Sequence, residues 1–168
     1  NKLQLPYLDM DVYLTEVTGM DTAQLYQQFG EQPFRDAETR LLQELGADYL
    51  AVSSVDEAME LRKNGIAMPI LILGHTPREQ VGLMIEHHIT QAVTCRAKAV
   101  EYSEEAVHCG GELTVHIKVD TGMSRLGFQC DDAHFNDSLE AICRVCALSG
   151  LTVEGIFTHF AVADERTE

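Results

Sequence analysis

The chain has 168 residues, 45% hydrophobic and 23% charged, enough for one domain with its own core. Its formal net charge of −15, from 27 acidic and 12 basic side chains, weighs against a nucleic-acid partner, which requires clustered lysine and arginine. The longest apolar runs, such as 68–73, are too short to cross a bilayer, and the start Asn1-Lys2-Leu3-Gln4-Leu5-Pro6 shows no export pattern, so no membrane partner is expected. Five cysteines (Cys95, Cys109, Cys130, Cys143 and Cys146) are an odd number and read as reduced thiols of a cytoplasmic protein.

Residues 1–33 read as a segment apart. Within it, 5–18 alternates loosely around Pro6, Asp9 and Asp11, and 21–29 reads as a short helix capped by Asp21 and stopped by Gly30. From 34 to 168 a regular rhythm follows. A helix with Asp36 near its start ends at Gly46, and Tyr49 to Val52 is a short strand. Ser54 to Glu57 is a capping box opening a helix that stops near Gly65. Pro69 to Leu73 is the next strand, and Thr76 to Glu79 a second capping box with Pro77 at the first helical position. That helix runs to His87. Then come a strand at 90–94, a helix at 97–109, a strand at 114–119 with a long exit loop, a helix at 137–148 containing Cys143 and Cys146, and a strand at 153–159. Short strands, apolar on both sides, alternate with helices at a spacing of roughly 20 residues, which predicts a parallel α/β protein. A barrel and a doubly wound sheet both satisfy that rhythm, but no G-x-G-x-x-G follows the first strand.

Reactive groups of a parallel barrel sit at the C-terminal ends of strands. Two strand ends here are unusual. His116 to Phe128 places Lys118, Asp120 and Arg125 on one strand and its exit loop, and Gly155 to Glu165 places His159 at the end of an apolar strand. From spacing alone, Lys118 beside Asp120 reads first as a loop ion pair, and His159 as a hydrogen-bonded core residue.

The run 116–128 resembles the alanine racemase segment His-Leu-Lys-Val-Asp-Thr-Gly-Met-Gly-Arg-Leu-Gly, with Ser124 in place of the usual glycine. The run 155–165 resembles that family's Gly-hydrophobic-hydrophobic-Thr-His-Phe-Ala-x-Ala-Asp-Glu. The segments 46–52, 57–65 and 69–74 fit its earlier strands and helix in order. The resemblance implies a partial parallel TIM-like (β/α) barrel of about five βα units. It implies pyridoxal 5'-phosphate held as a Schiff base, and interconversion of L- and D-alanine by two bases on opposite faces. It also implies an amino-acid substrate, D-alanine supply for peptidoglycan, and a cytoplasmic homodimer or other self-association. By the same resemblance Arg125 donates to the cofactor and lies near the substrate carboxylate, and Lys118 is carried as a carbamate that orients Arg125. His159 stands beside the pyridine ring, Leu73 lines the cofactor pocket, and Met123 lies near the substrate. The family's Lys-Ala-Asn/Asp-Ala-Tyr-Gly-His-Gly motif is absent, and the lysines are Lys2, Lys63, Lys98 and Lys118. Together with a chain ending at Glu168, that leads to the expectation of an incomplete barrel with little racemase activity alone. The alternatives are a serine racemase of the same family, a non-catalytic oligomerising barrel remnant, and a barrel enzyme using Lys118 itself as the Schiff-base lysine.

Overall fold

The computed structural model describes residues 10–30, 33, 34, 37, 41 and 46–162. The chain divides into two compact units, 1–47 and 48–168. In the first, helix α1 is Met10–Thr18 and α2 is Thr22–Phe29. The loosely alternating reading of 5–18 is therefore corrected from Met10 onward. Its apolar side chains fail to mark a face because Val12 and Val17 point outward and Leu14 inward. The predicted caps of α2 are present: the Asp21 carboxylate accepts from the Gln24 amide, the Gln24 side chain accepts from the Asp21 amide, and Gly30 adopts φ 84°. Leu14, Leu25 and Leu41 are buried together, with Tyr13, Met20 and Phe34 packed on them. Most of the helix expected between Asp36 and Gly46 lies outside the described residues.

The second unit begins with strand β1, Leu50–Val52, and helix α3, Val55–Lys63. Ser54 caps α3 by accepting from the Glu57 amide at 3.3 Å. Glu57 does not close the box on Ser54; its carboxylate accepts from the amide and hydroxyl of Ser53, both at 2.8 Å. Asp56 and Glu57 in the first turn and Arg62 and Lys63 in the last complement the helix dipole. Strand β2, Ile70–Ile72, follows. The capping box expected at Thr76 does not form. Thr76 is buried, and its hydroxyl donates to Gln91 Oε1 at 2.6 Å. A short 3₁₀ turn, Arg78–Gln80, leads instead into α4, Val81–Glu86. Strand β3 is Ile89–Val93, α5 is Arg96–His108, β4 is Leu113–Asp120, and a two-residue β5 is Phe128–Gln129. Helix α6, Phe135–Cys146, and β6, Leu151–Phe157, complete the unit.

All strand pairs are parallel, in the order β1-β2-β3-β4-β6, with β5 a spur on the end of β4. Each main strand lies beside the next in sequence, so no switch point reverses the order. Right-handed crossovers then place α3 to α6 on one face. This is the wall of a (β/α) barrel rather than a doubly wound sheet, with five of the eight strands of a closed barrel. On the helix face, Ile70, Ile72, Val93, Val115 and Ile117 are buried, as are Ala99, Tyr102 and Ala106 of α5. On the inner face of β4 stand Thr114, His116, Lys118 and Asp120, in strict alternation. Gln91, fully buried, also donates to the Gly74 carbonyl at 2.8 Å, and Tyr102 donates to the Thr76 carbonyl at 3.0 Å. The exit loop of β2 is thereby tied to β3 and α5.

One cation holds the opposite end. The Arg62 guanidinium donates to four carbonyls, those of His87, Ile66, Met68 and His88, at 2.7–2.9 Å. It joins the end of α3 to the entries of β2 and β3. Arg62→Ala leaves these carbonyls short of a charged donor, and a loss of about 2–3 kcal/mol is expected in urea unfolding. Arg62→Lys, with a point charge in place of a planar fork, recovers only part of it.

Candidate functional site

The exit loop of β4 is built around one carboxylate. Asp120 Oδ1 accepts from the amides of Gly122 and Ser124, and Oδ2 from the amide of Arg125, all at 3.0 Å. Its own carbonyl accepts from the Cys130 amide, which returns the chain as β5. The side chain is buried, and the Ser124 amide first, then those of Gly122 and Arg125 and the charge of Lys118, hold its carboxyl below the usual carboxylate range against the opposing cost of burial. Three loop residues have positive φ, Gly122, Ser124 and Gly127. Gly127 sits at 124°, where an added Cβ would lie 2.7 Å from the Lys118 carbonyl oxygen. Ser124 sits at 55°, a conformation that suits glycine better.

The predicted site residues all lie at the C-terminal ends of strands. Lys118 is on the inner face of β4 and 3% exposed. Among the described residues it makes no salt bridge, so the loop ion pair with Asp120 does not form; the amides already occupy that carboxylate. Lys118 Nζ lies 5.7 Å from the centre of the Phe157 ring, the residue paired with it across β6. Arg125 follows on the exit loop, its backbone fixed by Asp120 and its side chain exposed. Met123, half-buried, is on the same loop. His159 stands just past β6, its ring 6.0 Å from Phe157, and its buried Nδ1 has no hydrogen-bond partner among the described residues. Leu73, half-buried, follows β2, two strands away from β4, and its amide donates to the Val52 carbonyl. The structure thus puts Lys118, Met123, Arg125 and His159 on adjoining strand ends and Leu73 farther round the wall.

Other residues hold the site that sequence reasoning did not single out. Thr158 donates to the Val119 carbonyl at 3.0 Å and meets the Thr121 hydroxyl at 2.9 Å, stitching the β4 loop to the end of β6. Below Lys118 on the inner face, the Tyr49 hydroxyl bonds Thr90 Oγ1 at 2.9 Å and donates to Glu154 Oε2 at 2.8 Å. The His116 ring lies 5.3 Å from that of Tyr49, and its Nε2 faces the same Glu154 oxygen at 3.4 Å without a hydrogen bond. The only advance signal for this cluster was the inward parity of His116 with Lys118.

Two outcomes follow from the loop. Ser124→Gly is expected to raise stability by up to about 1 kcal/mol, and Gly127→Ala to lower it by about 3 kcal/mol, read as opposite shifts of the unfolding midpoint. Asp120 has a folded pKa below its unfolded value, so its contribution is present above about pH 4 and is lost as pH falls through the lowered folded value. Asp120→Asn should therefore weaken the protein at neutral pH and flatten the decline below about pH 4 in urea titrations at both ends of that range.

A family model described as the N-terminal domain of alanine racemase matches residues 36–168. An alanine racemase of Desulforamulus reducens is 46% identical over 127 residues, which cover 76% of this chain and 33% of the relative. The solved alanine racemase of Clostridium difficile 630 in complex with cycloserine matches with TM-score 0.68 and 42% identity, over 76% of this chain and 34% of that one. The histidine racemase of Leuconostoc mesenteroides matches with TM-score 0.65 and 28% identity, over 80% and 34%. The chain spans about a third of the length of these relatives. With the motif, the sheet order and these matches in agreement, the chain belongs to the alanine racemase family, through its N-terminal domain.

Proposed function

We propose that this domain forms the barrel wall of an alanine racemase site that uses pyridoxal 5'-phosphate and acts on a free amino acid. The observation that carries the reading is the meeting, on β4 and just past the adjacent β6, of a buried lysine that makes no salt bridge among the described residues and a histidine whose buried Nδ1 has no hydrogen-bond partner among them. An orphaned imidazole nitrogen at the mouth of a parallel sheet fits the edge of a polar aromatic ring, and His159, Leu73 and Arg125 would line such a group. When bound, the cofactor supplies an electron sink for charge left at the substrate Cα. Its covalent attachment is not assigned to a described residue: Lys63 ends α3, and Lys98 on α5 pairs with Glu101.

The remaining work belongs to side chains. Arg125, on a loop fixed by its own backbone, presents a planar fork to a phenolate or a carboxylate. Met123 would contact the substrate beside it. Lys118 as an amine is a buried cation in the same region as a second cation; as a carbamate it is an anion able to orient Arg125. The free cysteines suit a cytoplasmic enzyme, exposed Ile156 and Phe160 at the last strand offer apolar surface for self-association, and a role in D-alanine supply for peptidoglycan rests on the family resemblance. No helix among the described residues is long and apolar enough to cross a membrane.

Adding pyridoxal phosphate to the chain should shift the His159 imidazole resonances in NMR spectra and leave those of His108 and His134 in place; equal movement of all three would overturn the site. In the enzyme carrying this domain, Arg125→Ala should lower L-alanine racemisation about a hundredfold. Chiral chromatography should show L-alanine turned over faster than L-serine, and the reverse order would favour the serine racemase reading.

A further inference from the structure

The cluster beneath Lys118 has a geometry of its own. Strand β6 carries a bulge opposite the Val115–His116 step, because Val115 pairs with Val153 but His116 pairs with Gly155. Glu154 is the extra residue, and its carboxylate reaches Tyr49. At Gly155 an added Cβ would lie 2.9 Å from His116 Cε1 and 3.0 Å from Nε2, so the imidazole lies against bare backbone. His116 is thus wedged between Gly155, the Tyr49 ring and the Glu154 carboxylate.

Lys118 is two residues further along the same face, about 6.6 Å at 3.3 Å per strand residue. Its nearest carboxylate in sequence, Asp120, is engaged by three amides. Two further carboxylates lie on this side: Glu112, which accepts from the Thr152 hydroxyl toward the strand entry, and Glu154, against which the His116 ring lies. His116 stands between Glu154 and Lys118 along the strand, because Glu154 lies opposite the Val115–His116 step and Lys118 two residues past it.

We propose that His116 is a positioning residue that keeps Glu154 from pairing with Lys118, so that the Lys118 amine stays available for carbon dioxide. This rests on the reading of Lys118 as a carbamate. In that step the neutral amine nitrogen bonds to the carbon of carbon dioxide, one C–O π pair moves onto oxygen, and the nitrogen releases a proton to water. An ion pair with Glu154 would hold the amine protonated, without the lone pair the step needs. Tyr49 assists by donating to the same carboxylate, and Gly155 by leaving room for the ring.

The test is carbon NMR of the 168-residue chain in [13C]bicarbonate. The chain should show a carbamate signal that disappears in Lys118→Arg. His116→Ala should lower its occupancy at least fivefold at the same pH and bicarbonate concentration. Adding Glu154→Gln to His116→Ala should restore it to within twofold, which a general loss of packing would not allow, and thermal unfolding of each variant reports whether the fold persists. A wild-type signal unaffected by His116→Ala, or lowered by it and not restored by Glu154→Gln, overturns the positioning role alone. No Lys118-dependent signal in the wild type overturns the carbamate reading and the positioning role with it.

Discussion

The site depends on one carboxylate satisfied by backbone. Asp120 ends β4, and its two oxygens accept the amides of Gly122, Ser124 and Arg125, so a run with two glycines acquires a single path. That path carries the Arg125 backbone and sends the chain back along β4 as β5. Buried charge is costly unless it is paired or hydrogen-bonded, and here the three amides meet that cost for the aspartate, with the charge of Lys118 adding to them.

The two ends of the wall are secured by different means. At the strand entries, Arg62 gathers four carbonyls from two segments. At the exits, Gln91, Thr76 and Tyr102 anchor one loop and Thr158 another. Neutral hydrogen bonds tie these two loops, and the Asp120 carboxylate holds the path of the β4 loop itself. Rigid exits and a flexible arginine tip suit a site whose backbone is set before a ligand arrives.

The alternation of strands and helices was legible because each strand is a short apolar run closed by a cap or a glycine, as with Ser54 before α3 and Gly150 before β6. The choice between barrel and open sheet was not, because it depends on the strand order, which follows from pairing across the chain. Thr76 misled because a hydroxyl before proline and glutamate reads as a cap, whereas a buried glutamine fifteen residues on competes for it. α1 was missed because one buried leucine leaves almost no helical stripe. The site residues were legible through a motif, and their supports were not. Glu154, Tyr49 and Thr158 act through tertiary contacts that no local pattern announces.

The bulge at Glu154 also sets the phase of the strand. A strand with perfect two-residue alternation that turns Thr152 inward would turn Glu154, Ile156 and Thr158 inward as well, and His159 toward the helices. One inserted residue reverses the count, so that Gly155, Phe157 and His159 share a face with Lys118. The histidine owes its orientation to an irregularity four to five residues upstream. In such a strand a single-residue deletion is a larger change than any substitution, because it exchanges the two faces of everything that follows.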